Sequence, residues 1–521
     1  MRRMSLAGFA FALATTVVHF AAVHTGAAIA PGKCDDLIGL TVPNVAITSS
    51  QVVPAGPFTP SDGGRPLNVP AFCRVAAVAT PTSDSRIALE IWMPSAGAWN
   101  GKLLGTANGG FSGAIGYAAM AAGLTRGYAS VGTDTGHAGD QLEFGQGHPE
   151  KIADWAYRSI HVMTELAKLV VRSYLGRFPD RAYFEGCSTG GQQALSEAQR
   201  YPRDYDGIVA GDPGHNRVRL ILGFLWSWIA MHGDDGRAVL PPAKLPLLTN
   251  AAVAACDAND GLKDGLIDDP RACRFDPSTL LCRGAENESC LTEPQVAAVK
   301  KVYDGARNPR TGAQVFPGWV RGSEQGWGTY LVNPAEPMRI GFFRYFTFHD
   351  PKWDWRTFDW DRDVSFVDDQ VPFFSATSRD LRAFRSNGGK LLMYTGWADP
   401  VVPPQDTVAY YDDVVRTMGG LVETQKFFRF FPVPGMGHCS GGAGPNTFDA
   451  LSALDQWREH GLAPGQLLAS HSSNGAIDRT RPICAYPKVA RYQGAGSVDV
   501  AASFVCTAPP AGGRPARLGR Q

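Results

Sequence analysis

The stretch that decides the fold is Arg181-Ala-Tyr-Phe-Glu-Gly-Cys-Ser-Thr-Gly-Gly-Gln-Gln-Ala-Leu195. Its apolar residues up to Phe184 predict a buried strand, and Gln192 to Gln199 predict a helix that ends before Pro202. Between them lies a G-x-S-x-G turn, which in a strand-turn-helix context exposes a serine above a sheet. In a chain with 59 glycines, the pattern alone also fits a structural turn. The flanking strand and helix therefore carry the prediction that Ser188 is a nucleophile.

The predicted elements around this stretch define the fold class. Strand and helix patterns alternate up to about Asp212, and the alternation returns at Gly389-Lys-Leu-Leu-Met-Tyr394. This order predicts a mainly parallel α/β sheet. Residues 31–213 and 371–521 form its two parts, and residues 214–370 form an inserted lid over the carboxyl ends of the strands.

The composition excludes several classes of function. The 49 basic residues balance the 49 acidic ones, and no long basic run occurs, which argues against nucleic acid or an anionic membrane as a partner. A hydrophobic content of 44% supports a sizeable core.

The amino terminus predicts export. Arg2 and Arg3 precede the apolar stretch Leu6 to Ala22, and small residues follow at Gly26 to Ala30. Residues 1–30 are therefore predicted to be a signal peptide, the alternative being a retained anchor. No later segment has some 18 uninterrupted apolar residues. We expect a secreted or periplasmic protein with no membrane span in its mature form.

The residues that a nucleophilic serine requires follow in chain order. Asp399 lies just after the predicted strand Lys390 to Thr395, and His438 lies in a glycine-rich loop after the strand Phe427 to Val433. In hydrolases with this architecture, the acid and then the histidine follow the serine. Ser188, Asp399 and His438 are therefore the predicted catalytic triad.

An oxyanion hole needs two amide donors near the serine. The glycine-rich loop Asn108 to Gly113 follows an early strand, which is where such hydrolases place one donor, and the residue after the nucleophile supplies the other. Gly110 and Thr189 are therefore the candidates. A loop that is merely flexible is the alternative for the first.

Ten cysteines without any C-x-x-C motif favour disulfides in an exported protein. Sequence alone does not fix their connectivity. Sequence separation favours the pairs Cys34–Cys73, Cys256–Cys273, Cys282–Cys290 and Cys484–Cys506. The remaining two, Cys187 and Cys439, adjoin Ser188 and His438. If the triad forms, these two cysteines come close enough to bridge.

Four segments together resemble the tannase and feruloyl esterase family along nearly the whole mature chain: Gly186-Cys-Ser-Thr-Gly-Gly191, Gly211-Asp-Pro213, Gly396-Trp-Ala-Asp-Pro400 and Gly437-His-Cys439. The resemblance implies an α/β-hydrolase fold with a large inserted lid, and five cysteine pairs like those predicted above. It also implies a secreted serine carboxylesterase that cleaves esters of hydroxycinnamic, gallic or terephthalic acids through an acyl-serine. The bacterial members include mono(2-hydroxyethyl) terephthalate hydrolases.

The residues themselves leave two alternatives to this activity. One is an exported hydrolase-like protein that binds a ligand without catalysis. The other is a hydrolase of other esters or of amides.

The lid contains a run of aspartates that suits a hard cation. Asp257, Asp260 and Asp264 combine closely spaced carboxylates with intervening glycines, although not in EF-hand register. The resemblance implies a structural Ca²⁺ bound by these carboxylates and by the carbonyls of Leu262 and Leu266. A solvated acidic turn is the alternative. No organic cofactor is expected.

The substrate is expected to be a small aromatic ester. Aromatic residues of the lid, Trp327 and Phe343 among them, and Trp397 near the acid are candidate contacts, although such clusters also form ordinary cores. In terephthalate-type members a lid arginine binds the free carboxylate of the substrate. Arg339 is the candidate here, and an ordinary surface arginine is the alternative.

Overall fold

The computed structural model describes residues 30–509, so the predicted signal peptide lies outside the described residues except for its last position. The strands are β1 (Val45–Val53), β2 (Gly56–Phe58), β3 (Leu67–Val69), β4 (Phe72–Ala79), β5 (Ile87–Pro94), β6 (Lys102–Thr106), β7 (Ala129–Thr133), β8 (Arg181–Cys187), β9 (Gly207–Gly211), β10 (Ala306–Arg307), β11 (Gln314–Phe316), β12 (Lys390–Gly396), β13 (Phe428–Val433), β14 (Gln466–Ser473), β15 (Ala476–Cys484), β16 (Val489–Tyr492) and β17 (Phe504–Thr507).

The α-helices of the same residues are α1 (Tyr117–Thr125), α2 (Pro149–Ala153), α3 (Ser159–Leu175), α4 (Thr189–Arg200), α5 (Arg217–Met231), α6 (Leu245–Cys256), α7 (Glu293–Asp304), α8 (Asp363–Gln370), α9 (Arg382–Ser386), α10 (Pro404–Thr417), α11 (Leu421–Thr424) and α12 (Ala450–His460). None of the helices in residues 30–509 has the length and apolar character needed to span a membrane.

Nine strands form the central sheet in the order β1-β4-β5-β7-β6-β8-β9-β12-β13. The first three strands pair antiparallel, and β5 joins β7 antiparallel as well. From β7 to β13 every pair is parallel. This is an α/β-hydrolase sheet, and it brings the carboxyl ends of β8, β9, β12 and β13 to one edge, where ligands bind in such sheets.

The sheet is buried between helices because its strands are apolar on both faces. All five residues of β9 are buried, as are five of the six in β13. Helix α3 covers one face with Ile160, Met163, Ala167 and Val170, which are at most 1% exposed. Burial on both faces is typical of parallel strands with crossover helices.

Apolar residues recur at helical spacing from Ile152 to Tyr174, which predicts one continuous helix, but the structure interrupts it. Asp154 to Arg158 form a π-helical turn between α2 and α3. Asp154 is fully buried there, and Arg158 Nε donates to its carboxylate over 2.6 Å. The periodicity of apolar residues predicted the helix but gave no signal for the inserted turn.

The chain between β9 and β12 forms helices and a hydrophobic cluster of its own. This cluster includes Phe316, Trp319 and Trp327, each at most 1% exposed. A second cluster joins the insert to the sheet domain, because Phe374 stacks 4.9 Å from Trp155 and 6.2 Å from Phe111. The domain boundaries at residues 214 and 370 stay a prediction.

All ten cysteines are in disulfides, and the pairs are those that the sequence favours. The Cys187–Cys439 bond joins residues 252 positions apart, whereas Cys256–Cys273 and Cys282–Cys290 close short loops of the insert. The first of these bonds therefore links distant parts of the chain at the end of the sheet.

Candidate active site

Ser188 lies in a sharp turn between β8 and α4. Its backbone has φ 65° and ψ −118°, a conformation that L-residues rarely adopt. Its amide donates to Gly211 O over 2.9 Å. A Cβ on Gly186 would lie 2.5 Å from the side chain of Ala107, and one on Gly190 would meet the same atom at 2.5 Å. The two glycines of the motif are therefore required by close packing, and the turn holds the serine hydroxyl at the end of the sheet.

His438 and Asp399 form the predicted pair at the neighbouring strand ends. His438 Nδ1 lies 2.8 Å from Asp399 Oδ2, and Asp399 is fully buried. The other carboxylate oxygen accepts the amides of Val401 and Val402 over 2.7 and 2.9 Å. Because Nδ1 is hydrogen-bonded to the carboxylate of Asp399, Nε2 is the ring nitrogen that can accept the proton of the Ser188 hydroxyl.

Ser188 and His438 line one cavity of about 560 Å³. Burial lowers the pKa of His438, but the charge of Asp399 and its hydrogen bond outweigh burial, so the pKa lies above its usual value. A raised pKa favours the imidazolium that a general base becomes when it takes the proton of a hydroxyl.

The Cys187–Cys439 disulfide joins the residue before Ser188 to the residue after His438. The two Cα atoms are 5.9 Å apart. Cys439 has φ 64°, in the left-handed region that non-glycine residues seldom occupy. The bond therefore limits how far the serine turn and the histidine loop can separate.

Asp212 is a second buried carboxylate at this edge, which sequence reasoning did not assign. One oxygen accepts from the hydroxyl of Thr395 (3.2 Å) and the amide of Gly396 (2.7 Å), and the other accepts from the amide of Cys439 (3.0 Å). Burial, followed by the charge of Asp399, raises its pKa well above the usual range. Asp212 thus links three strand ends. Its position directly after β9 matches that of Asp399 after β12, which was the available signal.

Ser188, Asp212, Asp399 and His438 are called the catalytic edge below. An oxygen or nitrogen atom of each of the last three lies within 4.8 Å of the others. The four residues follow consecutive strands of the sheet, β8, β9, β12 and β13.

The two oxyanion-hole candidates lie next to each other. Gly110 lines the cavity and has φ 56°, and a Cβ there would lie 2.9 Å from Arg339 Nη2 and 3.1 Å from Asp140 Oδ1. Thr189 begins α4, so its amide has no acceptor within the helix. Its hydroxyl donates to Gly110 O over 2.6 Å. A direct hydrogen bond therefore joins the two candidates.

Of the residues predicted to contact substrate, Arg339 lies nearest to this loop. Its Nη1 donates to Asp140 Oδ2 over 2.6 Å, and its guanidinium lies 5.2 Å from the centre of the Phe111 ring. Its side chain is 15% exposed, and its role in binding substrate stays a prediction.

The aromatic candidates lie in cores. Trp327 and Phe343 are fully buried, and Trp397 is 5% exposed with the guanidinium of Arg271 at 4.9 Å from its ring. None of the three lines the cavity described above, whereas Tyr330, which sequence reasoning missed, does. The contact of these aromatic residues with substrate stays a prediction.

The aspartate loop comprises residues 257–269 of the insert. Asp257 accepts the amides of Asp264 (3.0 Å) and Gly265 (3.1 Å). Asp264 pairs with Arg481 Nη2 over 2.6 Å, and both side chains are 3% exposed. Asp260 accepts the amide of Leu262 over 2.9 Å. Arg479 Nη2 also donates to Asp264 O over 3.0 Å, so the loop is held by its own backbone and by two arginines of β15.

The chemistry of this loop fits the implied calcium. Within residues 30–509, the carbonyl oxygens of Leu262 and Leu266 accept no hydrogen bond. Burial, with the charges of Asp260 and Asp269, raises the pKa of Asp268 to about 7. Uncommitted carbonyls beside crowded carboxylates are oxygen ligands of the kind that Ca²⁺ prefers. In the described part of the chain, groups of three potential ligand residues whose ligand atoms lie within 4.8 Å of one another occur at the catalytic edge. The described residues of the aspartate loop do not bring three carboxylates that close together.

The sheet order and the Ser188, Asp399 and His438 arrangement define the chain as an α/β-hydrolase. Comparisons with known proteins narrow the class. The family profile described as "Tannase and feruloyl esterase" matches residues 73–507. The chain belongs to the tannase and feruloyl esterase family, and it is a carboxylic ester hydrolase.

Two curated relatives and one solved structure illustrate the match. An uncharacterized esterase of Xanthomonas campestris pv. campestris is 38% identical over 93% of each chain. The mono(2-hydroxyethyl) terephthalate hydrolase of Piscinibacter sakaiensis is 33% identical, over 85% of this chain and 86% of its own. The crystal structure of feruloyl esterase B from Aspergillus oryzae superposes with a TM-score of 0.85 at 31% identity, covering 91% of this chain and 99% of that one.

Proposed function

We propose that this protein is a secreted serine carboxylesterase that hydrolyses esters of aromatic acids through an acyl-serine intermediate. The observation that supports it most is the catalytic edge: a serine in a strained turn and a histidine hydrogen-bonded to a buried aspartate share one cavity. Five disulfides support the secreted location, since disulfides persist in oxidising compartments.

In the proposed mechanism, His438 Nε2 takes the proton of Ser188 as the serine attacks the ester carbonyl. The amides of Gly110 and Thr189 stabilise the oxyanion, and the imidazolium then protonates the leaving alcohol. Water repeats the sequence on the acyl-enzyme. Asp399 fixes the ring tautomer through Nδ1 and stabilises the positive charge that forms on the ring.

The names of the relatives guide the choice of acid. One relative is named for the hydrolysis of mono(2-hydroxyethyl) terephthalate and another is a feruloyl esterase. Terephthalate esters and ferulate esters both carry an aromatic ring on the acyl side. We propose that Tyr330 and the loop at Gly110 contact this ring, because both line the cavity beside Ser188.

A variant of Arg339 can distinguish a terephthalate monoester from a ferulate ester as the substrate. If its guanidinium binds the free carboxylate of a terephthalate monoester, Arg339→Gln should raise KM for mono(2-hydroxyethyl) terephthalate by about 10-fold, the low end for a lost charge-assisted hydrogen bond. KM for methyl ferulate, which has no second carboxylate, should stay unchanged. Equal changes in both values of KM would exclude this role for Arg339.

We also propose that the aspartate loop binds a structural Ca²⁺ through the side chains of Asp257, Asp260 and Asp264 and the carbonyls of Leu262 and Leu266. The ion would neutralise the clustered charge and stiffen the insert. It has no part in the reaction.

The function is tested by kcat/KM on methyl gallate, methyl ferulate, mono(2-hydroxyethyl) terephthalate and a short aliphatic p-nitrophenyl ester, with a matched amide. The proposal expects an aromatic ester to exceed the aliphatic ester and the amide by at least about 10-fold. A preference for the amide would favour a peptidase. Failure of an organophosphonate to label Ser188 would favour a non-catalytic binding protein.

A further inference from the structure

A buried arginine next to the oxyanion loop has no acidic partner. Arg217, the first residue of α5, is 6% exposed, and no Asp or Glu of residues 30–509 lies within ion-pair distance of it. Burial, with the nearby charge of Arg339, lowers its pKa to about 9, so it remains a cation at neutral pH. Its guanidinium lies 5.8 Å from the ring of Phe111 and 5.6 Å from that of Trp155. An unneutralised buried cation is costly and calls for a role.

The hydrogen bonds of Arg217 have a fixed direction. Nε donates to Gln192 Oε1 over 2.6 Å, and Gln192 is oriented by its own Nε2, which donates to Phe374 O over 2.8 Å. Nη2 donates to Thr189 Oγ1 over 2.7 Å. Because arginine only donates, the hydroxyl hydrogen of Thr189 must point to another acceptor.

That acceptor is Gly110 O, 2.6 Å away. The peptide that follows Gly110 is also held from its other side, since Phe111 N donates to Asp140 Oδ1 over 2.7 Å. In the described part of the chain, the amide of Gly110 itself has no acceptor. Both ends of the peptide are thus fixed, and the amide of Gly110 is left for a ligand.

We propose that Arg217 is a positioning residue that acts through Thr189: the chain Arg217–Thr189–Gly110 sets the distance between the two oxyanion-hole amides and places a positive charge behind them. The inference rests on the proposed function. It assigns to the Thr189 side chain a task separate from that of its amide. Donors that are fixed in advance stabilise a developing oxyanion more than donors that must reorient.

The decisive pair of variants is Thr189→Val and Thr189→Ser. Valine keeps the shape and the amide but removes the hydroxyl, so kcat on the best ester should fall about 10- to 100-fold, and KM should change less than about threefold. Serine keeps the hydroxyl and should restore kcat to within about threefold of the wild type.

The double variant that combines Arg217→Met with Thr189→Val provides a second test. Arg217→Met should lower kcat to a similar extent as Thr189→Val, and the two changes together should cost little more than either alone, since they break one chain of hydrogen bonds. Arg219→Met is the matched control. Arg219 lies two residues along the same helix and pairs with Asp368 instead, so kcat should stay normal.

A reversible boronic acid inhibitor separates positioning from folding. Its tetrahedral adduct on Ser188 places an oxygen between the two amides. The affinity should fall in Thr189→Val in parallel with kcat, whereas the affinity for the product acid should not. If Arg217→Met does not fold, the Thr189 pair still decides the outcome.

A normal kcat in Thr189→Val, an unchanged boronate affinity, or a Thr189→Ser variant as slow as Thr189→Val would overturn the inference. If Ser188→Ala has lost hydrolysis, any of these results excludes the positioning role of Arg217 but leaves the proposed function in place. If Ser188→Ala still hydrolyses the ester at the wild-type rate, the proposed function fails and this inference fails with it.

Discussion

The catalytic edge and the aspartate loop both place carboxylates beside a disulfide, yet they arrange them differently. At the catalytic edge, Asp399 and Asp212 accept backbone amides and converge with His438 within 4.8 Å. In the aspartate loop the carboxylates accept backbone amides but do not converge in this way. The difference comes from the scaffold. Ends of parallel strands bring side chains to one point, whereas the carboxylates of the loop are each held by neighbouring backbone amides.

The largest expected effect is the loss of activity in Ser188→Ala, which should leave the fold intact. Ser188→Ala should lower kcat/KM on the best ester by about 10⁶-fold, because no other group replaces the nucleophile. Circular dichroism and Tm should stay close to those of the wild type. Ser440→Ala, at an exposed serine near the same loop, is the control and should remain active. A substantial residual rate in Ser188→Ala would contradict the acyl-serine mechanism.

The two aspartates of the catalytic edge should respond unequally. Asp399→Asn should cost about 10⁴-fold in kcat, since an amide cannot stabilise the imidazolium. Burial and the charge of Asp399 raise the pKa of Asp212. Asp212→Asn keeps one oxygen acceptor and loses the hydrogen bond accepted from the amide of Cys439, so we expect a loss of about 10-fold there. Losses of equal size would mean that Asp212 contributes as much to catalysis as Asp399.

The disulfides of the two regions should also differ. Replacing Cys187 and Cys439 by alanine opens a loop of 252 residues and frees the serine turn from the histidine loop. We expect up to about 5 kcal/mol lower stability and about 10²-fold lower kcat.

Replacing Cys256 and Cys273 opens a loop of 17 residues in the insert. It should cost about 3 kcal/mol of stability and leave kcat unchanged. Urea unfolding and steady-state kinetics on both double variants test the contrast. Equal losses of kcat would mean that the first disulfide has no special role in the site.

Calcium removal should act on the aspartate loop alone. Chelation should lower Tm by the equivalent of about 2.7 kcal/mol if calcium was present at 100 times its Kd, while kcat/KM at 25 °C stays the same. In Asp257→Asn the chelator should have no effect on Tm. Asp304→Asn, an exposed residue at the end of α7, should respond as the wild type does. A Tm indifferent to both calcium and chelator would exclude the site.

The smallest expected effect is a shift in pH dependence. The base must be neutral to take a proton, and the pKa of His438 is raised, so kcat/KM should fall as the pH drops through a midpoint above 6.5. In Asp399→Asn the remaining activity should show a lower midpoint, because the charge that raises the pKa is gone. An unchanged midpoint would assign the pH dependence to another group.

Much of the scaffold could be predicted from local patterns. The apolar runs Lys390 to Thr395 and Phe427 to Val433 predict the positions of β12 and β13 within a residue, because strands buried on both faces need no alternation. The triad followed from chain order and from the cysteines next to Ser188 and His438. The interruption at Asp154 could not be foreseen, since a π-helical turn leaves the spacing of the apolar residues nearly unchanged.

The rest of the site depends on contacts between distant segments. Arg217 meets Thr189 from another helix, and Thr189 meets Gly110 across 79 residues, so no local pattern marks them. The ring of Trp397 packs against the guanidinium of Arg271, a residue of the insert that is distant in sequence, so no local pattern marks this neighbour either. The contact of Trp397 with substrate stays a prediction.

The bond between Cys187 and Cys439 has a consequence for how the enzyme matures. Its two cysteines adjoin Ser188 and His438, so oxidation fixes the separation of these two residues. Protein made under reducing conditions would carry both side chains but lack the covalent link between their loops. We therefore expect full activity to depend on the redox history of the chain.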